Sequence, residues 1–234
     1  MKYNYFKNCR VVINAGTEVL KNDGIGEPAR ETPVQKMVCV SIQRTYEDYG
    51  VFMANLDGVK VGDRVRVPGF KVPATEIDGK EKLNFDEIEV AGEYATVYKI
   101  EGEQISLVFD RALFKSAIDL NNEKRFEMTQ LGQYLQSEFL RAMNGAGIPA
   151  ESCGLISKEE MFGDNALEYF KTGRNRIAFD FGEDCSRYYW LSTLFDEDAS
   201  AAIFCFASHY GYAHHSSASN ANAYVRPRFI ILKS

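Results

Sequence analysis

The sequence predicts an α+β fold, with a β-rich region over roughly residues 1–90 ahead of a mixed domain that fills the rest. Three observations carry this. Short apolar segments with alternating character crowd residues 1–110. One long amphipathic helix follows near the middle of the chain. Several strand-like segments then return after Gly173 and run to the end. With 45% hydrophobic and 13% aromatic residues among 234, the chain has enough apolar material for a real core, which excludes a disordered protein.

Residues 9–13 and 37–42 read as strands, separated by a loop marked by Gly24, Gly26, Pro28 and Pro33. Residues 59–67 alternate apolar and charged side chains about Gly62-Asp63, which predicts a hairpin. The acidic stretch 74–92 reads as a solvated connector, and a domain boundary is expected near residue 90. A second hairpin is predicted from 94–100 and 104–109 about Glu101-Gly102-Glu103. Thr129 then caps a helix over 129–143, with Leu131, Tyr134, Leu135, Phe139, Ala142 and Met143 on one face. Ser157 and Glu160 have capping-box spacing for a short helix, and another turn is expected at 167–170. Strands are expected at 176–179, 188–191, 202–207 and 225–232. The last of these is too apolar to hang free of a sheet.

Composition removes several function classes. A net charge of −6 and a pI near 5.3 offer no basic stripe for nucleic acid. No apolar run approaches the roughly 18 residues that a bilayer span needs, so no membrane insertion is expected. The first residues carry charge but no apolar core of a secretory signal. The chain is therefore expected to be made in the cytoplasm and afterwards displayed or carried on a virion. Five scattered cysteines (9, 39, 153, 185, 205) without CxxC spacing read as reduced thiols.

The most unusual stretch is 199–225, 27 residues without Asp, Glu, Lys or Arg. It holds all three histidines (209, 214, 215), Tyr210, Tyr212, Tyr224 and many Ser, Asn and Ala residues. Rigid aromatic area beside adaptable hydrogen-bonding groups is the composition of a recognition surface. The expected contacts are His209, Tyr210, Tyr212, His214, His215, Ser216, Ser217, Asn220, Asn222 and Tyr224. Ile203 and Cys205 join them if their strand turns those side chains outward. Alternation puts Phe204 and Phe206 on the opposite face from 203, 205 and 207, without deciding which face is exposed.

Several local signatures then belong together. They are Phe109-Asp110-Arg111, the helix at 129–143, Asn175-Arg176-Ile177-Ala178, Tyr189-Trp190-Leu191-Ser192, Gly211, Ala218-Ser219-Asn220 and Val225-Arg226-Pro227. On these residues the chain from about 93 onward, some 60% of its length, resembles the C-type-lectin-like modules related to formylglycine-generating enzymes. Within that group it is most similar to bacterial and phage variable proteins diversified by retroelements. The first 90 residues have no such counterpart. The resemblance implies a lectin-like ligand-binding domain over 91–234, a variable region at about 188–229, and an N-terminal region that attaches or displays it. It implies binding of a protein or cell-surface ligand without turnover or cofactor, and it allows a homo-oligomer. Trp190, Gly211, Arg226 and Pro227 would be fixed framework, with Arg226 donating to backbone carbonyls.

The genetic code offers a check. In that family adenines are rewritten, chiefly in Asn codons, and changing the first two bases of AAC or AAT never yields Lys, Glu, Gln, Met or Trp. Those types make up 47 of the 234 residues, so about five are expected in 199–225, and none occurs there. The ten types that do occur are all reachable. A buried strand would also lack Lys and Glu, but it gives no reason for histidines and a Ser/Asn run to gather.

Metal binding is weighed against this and not expected. His214 and His215 are adjacent and would point to opposite faces of a strand, and the run holds no carboxylate. Oxidase chemistry of the formylglycine-generating type would need a cysteine pair, and only Cys205 lies in the run, between two phenylalanines. Asp196-Glu197-Asp198 reads as a solvated turn. No Gly-x-Ser-x-Gly elbow or phosphate-binding glycine loop is present. The alternatives are a fixed-function lectin-like structural or adhesion module of a phage particle and, behind it, an enzyme of the formylglycine-generating type.

Overall fold

The computed structural model describes residues 10–13, 40–43, 56, 58–180 and 185–232. The chain divides into two compact units, Met1–Asp48 and Tyr49–Ser234. In the first, β1 (Arg10–Ile13) pairs antiparallel with β2 (Val40–Gln43), with Arg10 opposite Gln43. The rest of the first unit, including the Gly/Pro loop expected between these strands, lies outside the described residues. Residues 56–90, expected on the N-terminal side of a boundary near 90, belong to the second unit.

The hairpin expected at 59–67 does not form. Lys60 to Asp63 makes a tight turn, with Asp63 N donating to Lys60 O at 3.0 Å and Gly62 at φ +96°. Gly62 N donates to Val97 O (2.8 Å) and Val97 N to Asp63 O (2.9 Å), so the turn itself docks on a later strand. Only β3 (Arg64–Arg66) is extended. The acidic stretch is likewise no connector. β4 (Phe70–Val72), β5 (Thr75–Ile77), β6 (Leu83–Phe85) and β7 (Ile88–Val90) form two nested ribbons, β4 with β7 and β5 with β6. Phe70, Val72, Leu83, Phe85 and Val90 are buried, while the carboxylates occupy the alternate, outward positions.

The second hairpin appears as expected, in β8 (Tyr94–Glu101) and β9 (Gln104–Phe109). Two short strands follow, β10 (Arg111–Ala112) and β11 (Phe114–Lys115). Helix α1 runs as Gln130–Tyr134, one π-helical stretch at Leu135–Phe139, and Leu140–Gly145. Thr129 caps it by accepting from Gly132 N, and Leu131, Tyr134, Leu135, Phe139 and Met143 are all buried. After β12 (Ala150–Gly154) comes α2 (Lys158–Met161) with the complete Ser157/Glu160 capping box, then α3 (Glu168–Lys171). The remaining strands are β13 (Ala178–Asp180), β14 (Ser186–Arg187), β15 (Tyr189–Leu194), β16 (Ile203–Ala207), β17 (Ala213–Ser217), β18 (Tyr224–Val225) and β19 (Arg228–Leu232).

Two five-stranded sheets organise this α+β unit. One is antiparallel, in the order β12-β19-β9-β8-β3, so the last strand is held inside it between β12 and β9. The other runs β11-β18-β15-β16-β17 and carries the charge-free segment at one edge. The inner strands β9 and β15 are covered on both faces, by two separate cores. β9 sends Leu107 and Phe109 to the larger core and Val108 to the smaller. β15 sends Trp190 to the larger, and Tyr189 and Leu191 to the smaller. A strand between two cores loses its polar side, which is why these strands read as apolar runs.

Candidate functional site

The charge-free segment forms β16, a tight turn, the edge strand β17 and a second turn leading to β18. The register is regular: Phe204 faces Ser216, Cys205 faces His215, and Phe206 faces His214. Neither half of the expected alternation in β16 is wholly outward-facing. Phe204 fills the larger core while Cys205 and Ala207 fill the smaller, all nearly inaccessible. Cys205 is therefore withdrawn as a contact residue. Burial raises its thiol above the ordinary value, so it stays protonated and inert. Ile203 and Phe206 are half-buried.

The remaining expected contacts sort by position. Tyr210 and Tyr212 project from the first turn at 70% and 66% exposure, and the His209 and Tyr210 rings lie 3.9 Å apart. His214 and His215 are both exposed and point to opposite faces of β17. His214 stacks near Phe206 (5.7 Å) and His215 on Phe195 (3.7 Å). In the second turn Ser217 Oγ lies 2.9 Å from Ser219 Oγ, and the exposed Asn222 donates its N–H to Asn220 Oδ1 (3.0 Å). Tyr224 stands apart, half-buried between the Lys115 ammonium (5.1 Å) and the Arg187 guanidinium (5.5 Å).

Five of these residues meet in one shallow depression of about 390 Å³: His209, His214, His215, Ser216 and Asn220. Its other walls, Tyr188, Phe206 and Ser208, were not expected from the sequence. Tyr188 looks like the start of a core strand, and only the register brings it beside Phe206, at 5.3 Å between ring centroids. No Asp, Glu, Lys or Arg lines the depression. Among the described residues, no group of three or more His, Cys, Asp and Glu side chains could hold a metal ion.

What fixes this surface is chiefly main chain. Ile118 and Asp119 N–H groups donate to Ala218 O (2.8 and 3.2 Å), Ser116 N to Ala223 O (3.1 Å) and Leu113 N to Val225 O (2.8 Å). The Lys124 ammonium donates to Glu197 O (2.6 Å) and Ala199 O (2.7 Å). Asn122, at φ +66°, accepts from Ala202 N at 2.6 Å and donates to Ser200 O at 3.1 Å. The side chains turned inward along the segment are often Ala: Ala202, Ala207, Ala218 and Ala223 are buried.

The expected framework residues lie beneath. Trp190 is fully buried and its indole N–H donates to Ser116 O (2.8 Å). Arg226 is buried, donating Nε to Phe109 O (2.7 Å) and Nη1 to Asn175 O (3.3 Å) and Tyr189 Oη (3.1 Å), with its guanidinium over the Tyr189 ring. Pro227 beside it accepts from Phe109 N at 3.1 Å. Gly211 closes the first turn at φ +78°, and a Cβ there would meet Gly173 O at 3.0 Å. Turn geometry and the neighbouring backbone both demand glycine at this position. No helix among the described residues is long and apolar enough to cross a membrane. Compared with known proteins, the chain matches no family model, no curated protein and no solved structure.

Proposed function

We propose that the chain is a displayed binding protein without catalytic activity, whose C-terminal module is C-type-lectin-like. Its segment at about 188–229 is the ligand-binding face, diversified by a retroelement. One observation carries the reading: the segment is tied to its neighbours largely through backbone groups and buried alanines, while its three His, Tyr210, Tyr212, Ser217, Ser219 and Asn222 face outward. A surface built this way tolerates exchange of its exposed side chains, because the bonds that shape it are made by atoms every residue has. The sequence signatures that resemble the retroelement-diversified family, and the lack of Lys, Glu, Gln, Met and Trp in 199–225, support the same reading.

The test is to sequence the 3′ end of this gene across many isolates of its source. Substitutions should concentrate in the codons of exposed residues between 192 and 224 and spare Trp190, Gly211, Arg226, Pro227 and the buried alanines. A near-copy of that segment, differing mostly at adenines, should lie beside a reverse-transcriptase gene. Variation no greater than in α1 would remove diversification and leave a fixed-function adhesion module.

A further inference from the structure

We infer that the depression beside β17 takes an uncharged sugar ring, stacked on Phe206 and hydrogen-bonded at its rim. The inference rests on the ligand-binding reading above and names its ligand class.

The floor is a row of three rings carried by adjacent segments of the sheet. Phe206 lies between Tyr188 (5.3 Å) and His214 (5.7 Å), and the edge-on indole of Trp190 at 6.3 Å supports it. Phe206 is only half-buried, so aromatic surface remains open to solvent in the middle of the row. Around it stand His209, Ser216 and Asn220, supplying imidazole, hydroxyl and amide groups, while the buried Ser208 hydroxyl accepts from Tyr212 N at 3.1 Å within the turn. The Asn220 amide is oriented at both ends, donating to Ser216 Oγ (3.1 Å) and accepting from Asn222 N (3.0 Å). Its NH₂ carries two hydrogens, and Ser216 takes one of them.

Charge and polarity narrow the ligand. An ionic ligand would give up its hydration on a lining that holds no Asp, Glu, Lys or Arg to pair with it, a costly exchange. A purely apolar ligand would cover the rim hydroxyl and amide groups and leave them without partners, which also costs free energy. A pyranose has an apolar C–H face for the ring row and hydroxyls around its edge for the rim, so it meets both demands. The volume, about 390 Å³, is near the small end of ligand clefts and suits one or two sugar rings. The lining contains no carboxylate, so recognition of this kind calls on no divalent cation.

The full-length protein should be titrated against an immobilised panel of neutral gluco-, galacto-, manno- and N-acetylhexosamine oligosaccharides. Uronate- and sialate-terminated glycans and tyrosine- or proline-rich peptides go beside them. At least one neutral glycan should bind, equally well with and without EDTA. Phe206→Leu, which keeps an apolar side chain against Trp190, should weaken it about tenfold through loss of the stacked ring. The exposed His214→Ala should also weaken it, without change in melting temperature. Preference for acidic glycans or peptides, abolition by EDTA, or no neutral glycan bound overturns the sugar assignment. If a non-sugar ligand binds and the Phe206 and His214 variants weaken it, the binding-face reading survives that loss. An invariant gene that also binds nothing at this face takes both readings with it.

Discussion

Arg226 shows best how one residue sets the framework beneath the charge-free segment. It is a buried cation whose partners are two carbonyls, the Tyr189 hydroxyl and the face of the Tyr189 ring, so it joins the end of β9, Asn175 and β15. Only a guanidinium offers donors in a fixed fork wide enough for that. Arg226→Ala should therefore unfold the module more easily without touching the exposed contacts. Each buried acceptor left unpaired costs about 1–3 kcal/mol, and for a unit of this size each kcal/mol lowers the melting temperature by about 2–4 °C. Arg226→Lys should recover little of the loss, because one ammonium cannot reach all three acceptors. Thermal melts read beside binding at a temperature where both variants are folded will decide it. Unchanged melting with lost binding would move Arg226 from framework to contact surface.

At the scale of the element, β16 and its flanking turns separate what is fixed from what is free. Ala202, Ala218 and Ala223 are buried where the backbone of the segment is anchored, whereas Tyr210 and Tyr212 stand in solvent. Ala218→Leu should overpack its site and cost about 1–3 kcal/mol. Tyr210→Ala and Tyr212→Ala should stay within about 0.5 kcal/mol of the parent. Denaturation midpoints of the three variants measure this directly, and tyrosine losses equal to that of Ala218→Leu would contradict an exchangeable surface. The same element marks the limit of sequence reasoning. The hairpin β8–β9 and helix α1 were legible because their periodicities are long and their turn and cap residues explicit. β16 was not, because a strand between two cores has no wholly outward side for alternation to reveal, and the conditional placing of Cys205 on the surface is overturned by its burial. In 74–92 the number of acidic residues masked the Leu83-Asn84-Phe85 and Ile88-Glu89-Val90 alternation that forms the ribbons. Tyr188 and Phe206 became neighbours only through pairing across a long gap in sequence, which composition does not record.

The second unit buries the thiols of Cys153 and Cys205 and the phenols of Tyr98, Tyr134 and Tyr189, and burial favours their neutral form, which gives its stability a direction with pH. Burial pushes the Cys153 thiol up to about 12, helped by no nearby cation strong enough to reverse it. Burial likewise raises the phenols of Tyr98, Tyr134 and Tyr189 above their ordinary value, despite Arg226 pulling the Tyr189 phenol the other way. In the unfolded chain these groups release protons near pH 8.5 for the thiol and about 10 for the phenols. The native state therefore holds more protons than the unfolded state above those values, so stability falls as pH rises. The contribution is fully present below about pH 8.5. It declines first with Cys153 and more steeply once the three tyrosines join, each group contributing at most about 1.4 kcal/mol per pH unit. Urea denaturation at a series of pH values from neutral to about 11 should show a midpoint that is level at first and then drops. Tyrosinate absorbance should show a late step, in which the buried phenols ionise only as the unit unfolds. A midpoint that stays level to about pH 11, with no late tyrosinate step, would mean that water reaches these side chains and that the two cores are not closed.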